Sequence, residues 1–436
     1  MIRCDSDMKK FFISVGLIAA GTASLQAAYA PDWNSTSASM WSVSGTLRGF
    51  YDDNYETSPS GAKRGSFGFE FSPQFEVNVP LQQTELGMRY IYGLYFYQRR
   101  EELGENPIDQ TQQFDLWVDH AFTERWQARV QDSFIMGQEP ELIDPNTSVT
   151  RRINGNNIRN TGTLTLDTAW TRLFSTALKY QNSFFDYQNN GATIDNLATQ
   201  GASLAGLLNR IEQLVSLDFQ WHVAPETVAF FGGQFGAVNY IGDEPIALNT
   251  VGPQPFYYSD ARDSRSYYGY VGVQRSMLAN LSFTGKIGAQ YTDNYNDNTT
   301  SLNPYADLSL IYTYLPGSYA QIGFTQTQNA TDQITPDSSG HITLDTEAST
   351  VYASINHKLT SKLLGTVIGR WQHSVYNQGL YNNQAEDYYS LGVNLSYSFN
   401  QHFSVDAGYN YDDVVSKVPG NNYTRNRIYL GVSATY

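Results

Sequence analysis

Over residues 65–79 the apolar side chains fall at every second position. Phe67, Phe69, Phe71, Phe75, Val77 and Val79 alternate with Ser66, Gly68, Glu70, Ser72, Gln74, Glu76 and Asn78. Successive residues of a strand point to opposite faces, so this segment has one greasy face and one polar face. A helix would repeat its apolar positions every three or four residues instead. The pattern returns at Leu86, Met88, Tyr90, Tyr92, Leu94 and Phe96, at Leu281, Phe283, Ile287, Ala289 and Tyr291, and at Tyr389, Leu391, Val393, Leu395, Tyr397 and Phe399. About eighteen such segments follow one another. Their centres fall near residues 48, 72, 91, 116, 130, 164, 180, 216, 234, 270, 286, 308, 322, 351, 369, 393, 407 and 429.

The breaks between them alternate in length. Short ones lie at 80–83, 122–125, 170–173, 223–226, 315–317, 358–361 and 399–402. Long ones, rich in Asn, Asp, Gly, Pro and Thr, lie at 100–110, 137–158, 188–208, 243–263, 328–344 and 412–422. Tight turns at one end and long loops at the other are the pattern of a transmembrane antiparallel β-barrel. About ten residues at roughly 3.3 Å each, tilted by about 40 degrees, span the apolar band of such a barrel. A ring of about eighteen strands is roughly 36 Å across, too wide for its own side chains to fill. The apolar set then faces lipid and the polar set lines water. The fold class expected is therefore all-β: a closed barrel of 16–18 strands with short periplasmic turns and long extracellular loops.

Composition agrees. Charged residues make up 16% and aromatic residues 14%, yet the mean hydropathy is −0.41. No later stretch approaches 18 consecutive apolar residues, so helical membrane spans are excluded. A soluble β-sandwich or propeller also alternates. Strands of ten or more residues favour the membrane barrel, as do the aromatic residues at strand ends, among them Trp126, Trp170, Trp221 and Trp371. The net charge of −15, without a basic run, argues against nucleic acid as a partner.

The first thirty residues read as a secretory signal. Lys9 and Lys10 precede an apolar stretch from Phe11 to Ala23, and small residues follow to Ala30, so cleavage is expected near 27–30. Residues 31–436 then form one barrel domain. Cleavage removes Cys4, the single cysteine, and takes Arg3, Lys9, Lys10, Asp5 and Asp7 with it, moving the net charge from −15 to −16.

The last strand reads RNRIYLGVSATY, with Ile428, Leu430, Val432, Ala434 and the terminal Tyr436 on one face. An aromatic carboxyl-terminal residue on such a strand resembles the signal read by the barrel-assembly machinery of Gram-negative bacteria. With the turn segments HKLTSKLLGTVIGR and YSFNQHFSVDAGYNYDD, the chain resembles the putative β-barrel porin type 2 family. That resemblance implies an outer-membrane location and a pore-like role, and brings no known substrate.

Signals of an enzyme are weak. His120, His222, His341, His357, His373 and His402 are scattered, with no pair at metal-ligand spacing and no P-loop, nucleophile elbow or dinucleotide fingerprint. Asp293 and Asp297 in TDNYNDN offer oxygens for calcium, but an acidic loop tip is the commoner explanation. No catalysis and no cofactor is expected.

The presumed water face carries the chemistry. Arg48, Arg89, Arg99, Arg129, Lys179, Lys286, Arg370, Arg425 and Arg427 share it with Glu70, Glu76, Asp115, Asp119, Asp167, Glu212, Asp218 and Asp307. Opposed basic and acidic groups on a channel wall set a field that selects among ions. Two loops are candidates to narrow the pore: 137–158, with Glu139, Glu141, Asp144, Arg151 and Arg152, and 188–208, whose spacing suits a short helix. Tyr95, Tyr97, Trp117, Tyr268 and Tyr270 are candidates for an aromatic path for sugars. The expectation is a passive channel for ions and small hydrophilic solutes with mild cation preference, in contact with outer-membrane lipid and open to homo-oligomer formation. A substrate-specific transporter and a non-conducting surface barrel are the alternatives.

Overall fold

Every one of the eighteen alternating segments forms a strand. The computed structural model describes residues 40–137, 157–188, 202–251 and 253–436. The first nine strands are β1 (Trp41–Asp52), β2 (Ser66–Pro80), β3 (Thr84–Tyr97), β4 (Ile108–Thr123), β5 (Trp126–Gly137), β6 (Asn157–Ala169), β7 (Phe174–Tyr187), β8 (Arg210–Ala224) and β9 (Thr227–Tyr240). A small ribbon of β10 (Pro245–Leu248) and β11 (Phe256–Tyr258) interrupts the series. The ring then continues through β12 (Ser264–Leu278), β13 (Leu281–Asn294), β14 (Thr299–Leu315), β15 (Ser318–Asn329) and β16 (Asp345–Lys358). It ends with β17 (Leu363–Asn377), β18 (Ala385–Ser398), β19 (Phe403–Ser416) and β20 (Tyr423–Thr435).

Among the described residues each barrel strand pairs antiparallel with its chain neighbours, and β20 pairs with β1, closing an 18-stranded ring. Closure satisfies the backbone around the whole circumference, which a sheet in lipid requires. The C-terminus takes part: the Tyr436 amide donates to Val43 O at 2.8 Å and the Val43 amide to Tyr436 O at 3.0 Å. Leu430 and Val432 lie on the outer face, more than half exposed, as the apolar band demands.

Every connection at the end that holds both termini of the barrel is a short turn, and the long connections lie at the other. One connection at the long-loop end is short, the turn between β13 and β14. Inside the ring, lumenal aromatic side chains lie over glycines on the next strand: Phe50 faces Gly68, Trp117 faces Gly87 and Tyr429 faces Gly408. In each pair a Cβ on the glycine would collide with the ring, so the missing side chain is what lets the ring lie flat against the wall.

Candidate functional site: the lumenal wall

Alternation turns the polar set inward, and on the wall from β19 round to β5 it brings arginines against carboxylates. Arg48 on β1 donates to Glu70 on β2 at 3.0 Å and to Asp406 on β19 at 2.8 Å. Arg425 on β20 makes two bonds to Asp52 Oδ2 on β1, at 2.8 and 2.6 Å, and Arg427 reaches Glu70 at 3.4 Å. These three arginines all bridge the seam where the first and last strands meet. Further round, Arg89 grips Asp115 Oδ2 at 2.9 and 2.7 Å, Arg129 pairs with Asp119, and Arg100 pairs with Asp109 at 2.7 Å. A charge removed from water costs several kcal/mol unless paired, and here the two halves come from strands one or two apart in the ring or, for Arg100, from just past the end of β3. Aromatic rings pack among them. The Arg427 guanidinium stands 4.3 Å from the Phe50 ring centroid and that of Arg100 4.6 Å from Tyr97.

The facing wall, β7 to β14, is built differently. Tyr270 on β12 donates to Asp218 on β8 at 2.6 Å, reaching past Gly232 of β9. Lys286 on β13 lies 3.9 Å from Asp307 on β14, with its ammonium 5.1 and 5.3 Å from the ring centroids of Tyr270 and Tyr305. Lys179 on β7 makes no ion pair among the described residues.

Above this second wall the loops interlock. Leu207 and Leu208 of the short helix Leu204–Leu208 pack with Phe185 and Tyr187 of β7, Ile246 and Ala247 of β10, and Ile342 and Leu344 of the connection from β15 to β16. Arg262, buried beside the Tyr240 ring, donates to Thr331 O at 2.8 Å and to Leu207 O, tying three connections together. Burial pulls its guanidinium below the ordinary arginine range. The strands cooperate: beyond the pair Gln326–Ala306, β15 leaves β14, and Gln328 turns to the lumenal side chains Gln290, at 2.9 Å, and Ser301, at 3.1 Å. The connections that meet here start six strands apart in a ring of 18, which makes the cluster a partial roof over one side of the long-loop mouth.

A family model described as putative β-barrel porin 2 matches residues 40–436, the stretch from the start of β1 to the C-terminus. The chain belongs to that porin family. Among solved structures, this porin-family barrel is similar to the outer membrane protein OpdK of Pseudomonas aeruginosa at 10% identity, over 91% of this chain and 99% of that one, with a TM-score of 0.44. It is similar to OccAB4 of Acinetobacter baumannii at 13% identity, over 91% and 99%, with a TM-score of 0.42. The siderophore receptor PirA of Acinetobacter baumannii follows at 8% identity, over 90% and 80%, also with a TM-score of 0.42. None of the curated proteins matches.

Of the residues expected to line the pore of this porin-family barrel, Arg48, Glu70, Arg89, Asp115, Asp119, Arg129, Lys286 and Asp307 come together as pairs. Glu76 and Asp167 stand on lumenal positions without an ion pair among the described residues, and Arg370 donates to Gln372. Arg99 is a correction. The strand ends at Tyr97, and Arg99 sits in the short helix Gln98–Glu102, exposed and paired with Glu102 at 3.0 Å. The expected aromatic path is divided, because Tyr95, Tyr97 and Trp117 are on β3 and β4 whereas Tyr268 and Tyr270 are on β12, across the ring. Asp293 lies one residue before the end of β13 on the outer face, and Asp297 accepts from Thr299 at 3.1 Å. Glu139, Glu141, Asp144, Arg151 and Arg152 lie outside the described residues. The sequence reading missed Asp52, Asp109 and Asp406, although their positions in the alternation put them on the polar face.

Proposed function

We propose that this barrel sits in the outer membrane, reached through a cleaved signal in residues 1–30, and works as a non-enzymatic channel for passive diffusion of ions and small hydrophilic solutes. The observation that carries the reading is the division of side chains across one closed wall. Exposed apolar residues such as Phe67, Val271 and Leu430 face outward, and paired charges such as Arg48–Glu70 and Arg89–Asp115 face inward. An apolar exterior suits lipid, and a charged interior is stable only against water or partners. The short turns then belong to the periplasm and the long loops to the outside.

Mild cation preference is part of the proposal. Most lumenal charges neutralise one another, while the acids Glu76, Glu85 and Asp167 remain without an ion pair among the described residues and outnumber the cation Lys179, which also has none. Refolded protein in a planar bilayer tests the reading: stepwise conductance with cations favoured supports it. Folded barrels that pass no current, and liposomes that do not swell in small sugars, reject it in favour of a closed surface barrel.

A further inference from the structure

The facing wall holds a constellation that ion diffusion does not need. Lys179, Asp218, Lys286 and Asp307 all come from the middle of their strands, so they share the waist of the barrel. Between them the rings of Tyr268 and Tyr305 meet edge to face with centroids 5.1 Å apart, and Tyr270 stands 5.8 Å from Tyr305. Tyr270 is buried, and its hydroxyl is committed to Asp218. Tyr268 and Tyr305 are half-buried, and the side chains of Lys286 and Asp307 each remain 18% exposed, so part of the cluster is reachable from the lumen. In register with Tyr268 on β13 lies Gln290, whose buried Oε1 has no hydrogen-bond partner among the described residues.

The charges narrow what such a site accepts. An anion drawn to Lys179 and Lys286 meets Asp218 and Asp307, and a cation meets the reverse. A neutral molecule with many hydroxyls meets no such conflict, because carboxylates and amides accept from its hydroxyls while ammoniums donate to them. The tyrosine rings offer apolar faces to the C–H face of a ring. A few convergent polar groups beside aromatic surface are the usual makings of a small-molecule site. The roof adds an independent observation, because the connections that form it rise from β7, β9 and β15, over this wall and not over the arginine wall.

We propose that the roofed wall is a binding subsite for a neutral cyclic sugar, centred on Tyr268 and Tyr305 with Lys179, Lys286, Asp218 and Asp307 around them. The subsite rests on the channel reading and makes the channel a sugar-preferring one. Full-length refolded protein in a planar bilayer, titrated with maltose, tests it. Brief current interruptions are expected, rising in frequency with sugar and saturating. Replacing both rings, Tyr268→Ala with Tyr305→Ala, raises the half-saturating concentration about tenfold, read in channels that still open. The pair Tyr268→Phe with Tyr305→Phe, which keeps the rings, retains the interruptions. No interruption by maltose overturns the proposal, as does an unchanged half-saturation in the alanine variant or equal interruption by acyclic sorbitol. If folded protein passes no current the channel reading fails, and calorimetric titration of maltose into the detergent-folded protein then decides the subsite alone: saturable heat upholds it and none overturns it.

Discussion

Arg48 and Asp406 join β1 to β19 across the strand between them, with Arg48 Nε 2.8 Å from Asp406 Oδ2. The intervening residue is Gly431, where a Cβ would stand 2.5 Å from Arg48 Cγ and 2.9 Å from Asp406 Oδ1. A lumenal charge here fastens the barrel as well as coating its wall. Asp406→Ala takes one carboxylate from Arg48 and leaves it Glu70, and the expected loss is about 1–3 kcal/mol, below that of a fully orphaned buried charge. Gly431→Leu blocks the passage and is expected to cost at least as much. Heat-dependent gel mobility, which separates folded from unfolded barrels, reads both. A midpoint unchanged in either variant removes the seam role.

Glycines opposite lumenal rings make a second prediction. Trp117 lies against Gly87, whereas Gly49, on the outer face, has nothing within 4 Å of where a Cβ would be. Gly87→Val forces the indole off the wall, an overpacking cost of about 3 kcal/mol. Gly49→Ala is expected to stay within about 0.5 kcal/mol of the parent. Urea unfolding in lipid vesicles compares the two, and equal midpoints sink the idea that the ring needs the gap.

The fold was readable because alternation is local. Phe67 to Val79 state their faces without reference to any other strand, and Tyr436 marks the last strand on the outer face. The arginine wall was half readable. Arg48 and Glu70 share a hairpin, so their meeting follows from one turn, while the partner Asp406 is 358 positions away and depends on how the ring closes. Arg99 failed for a different reason: Gln98–Glu102 winds into a helical turn, and counting by twos past Tyr97 has no meaning there. The roof left little trace, because Leu207, Ile246 and Ile342 lie in separate connections with no shared period.

The roof also carries a pH dependence. Burial raises the carboxyls of Asp263 and Asp297 above the ordinary range. Asp263 accepts from the Tyr240 amide at 2.7 Å and from the Tyr295 hydroxyl at 3.1 Å, which offsets burial only in part. A carboxyl whose folded pKa is raised binds its proton more tightly in the docked loop than in the open one. Docking is therefore favoured on the acid side and weakens as pH rises through the folded-state pKa. Hydrogen exchange across residues 241–263, corrected for intrinsic rates, is expected to show more protection at about pH 4, near the ordinary aspartate value, than at about pH 8. Asp263→Asn with Asp297→Asn is expected to level the two, and protection that grows with pH contradicts the assignment.

Selectivity separates paired charges from unpaired ones. Asp115 is held by Arg89 and also accepts from Ser133 at 2.7 Å, so its field is largely cancelled within a few ångströms. Asp167 has no ion pair among the described residues, and Glu76 accepts only from the side-chain amide of Gln74, at 3.3 Å. At about 0.1 M salt a charge acts over roughly 10 Å, so each unpaired group is felt by an ion passing near its wall. Glu76→Gln with Asp167→Asn is expected to lower the cation-to-anion permeability ratio by about twofold, read as a shift of reversal potential in a salt gradient. Asp115→Asn removes one negative charge and leaves the charge of Arg89 uncancelled, so per charge removed it is expected to lower the ratio by a comparable amount. Should the double variant keep the parent's reversal potential, the unpaired acids do not face the conducting path, and the cation preference has to come from the loops instead.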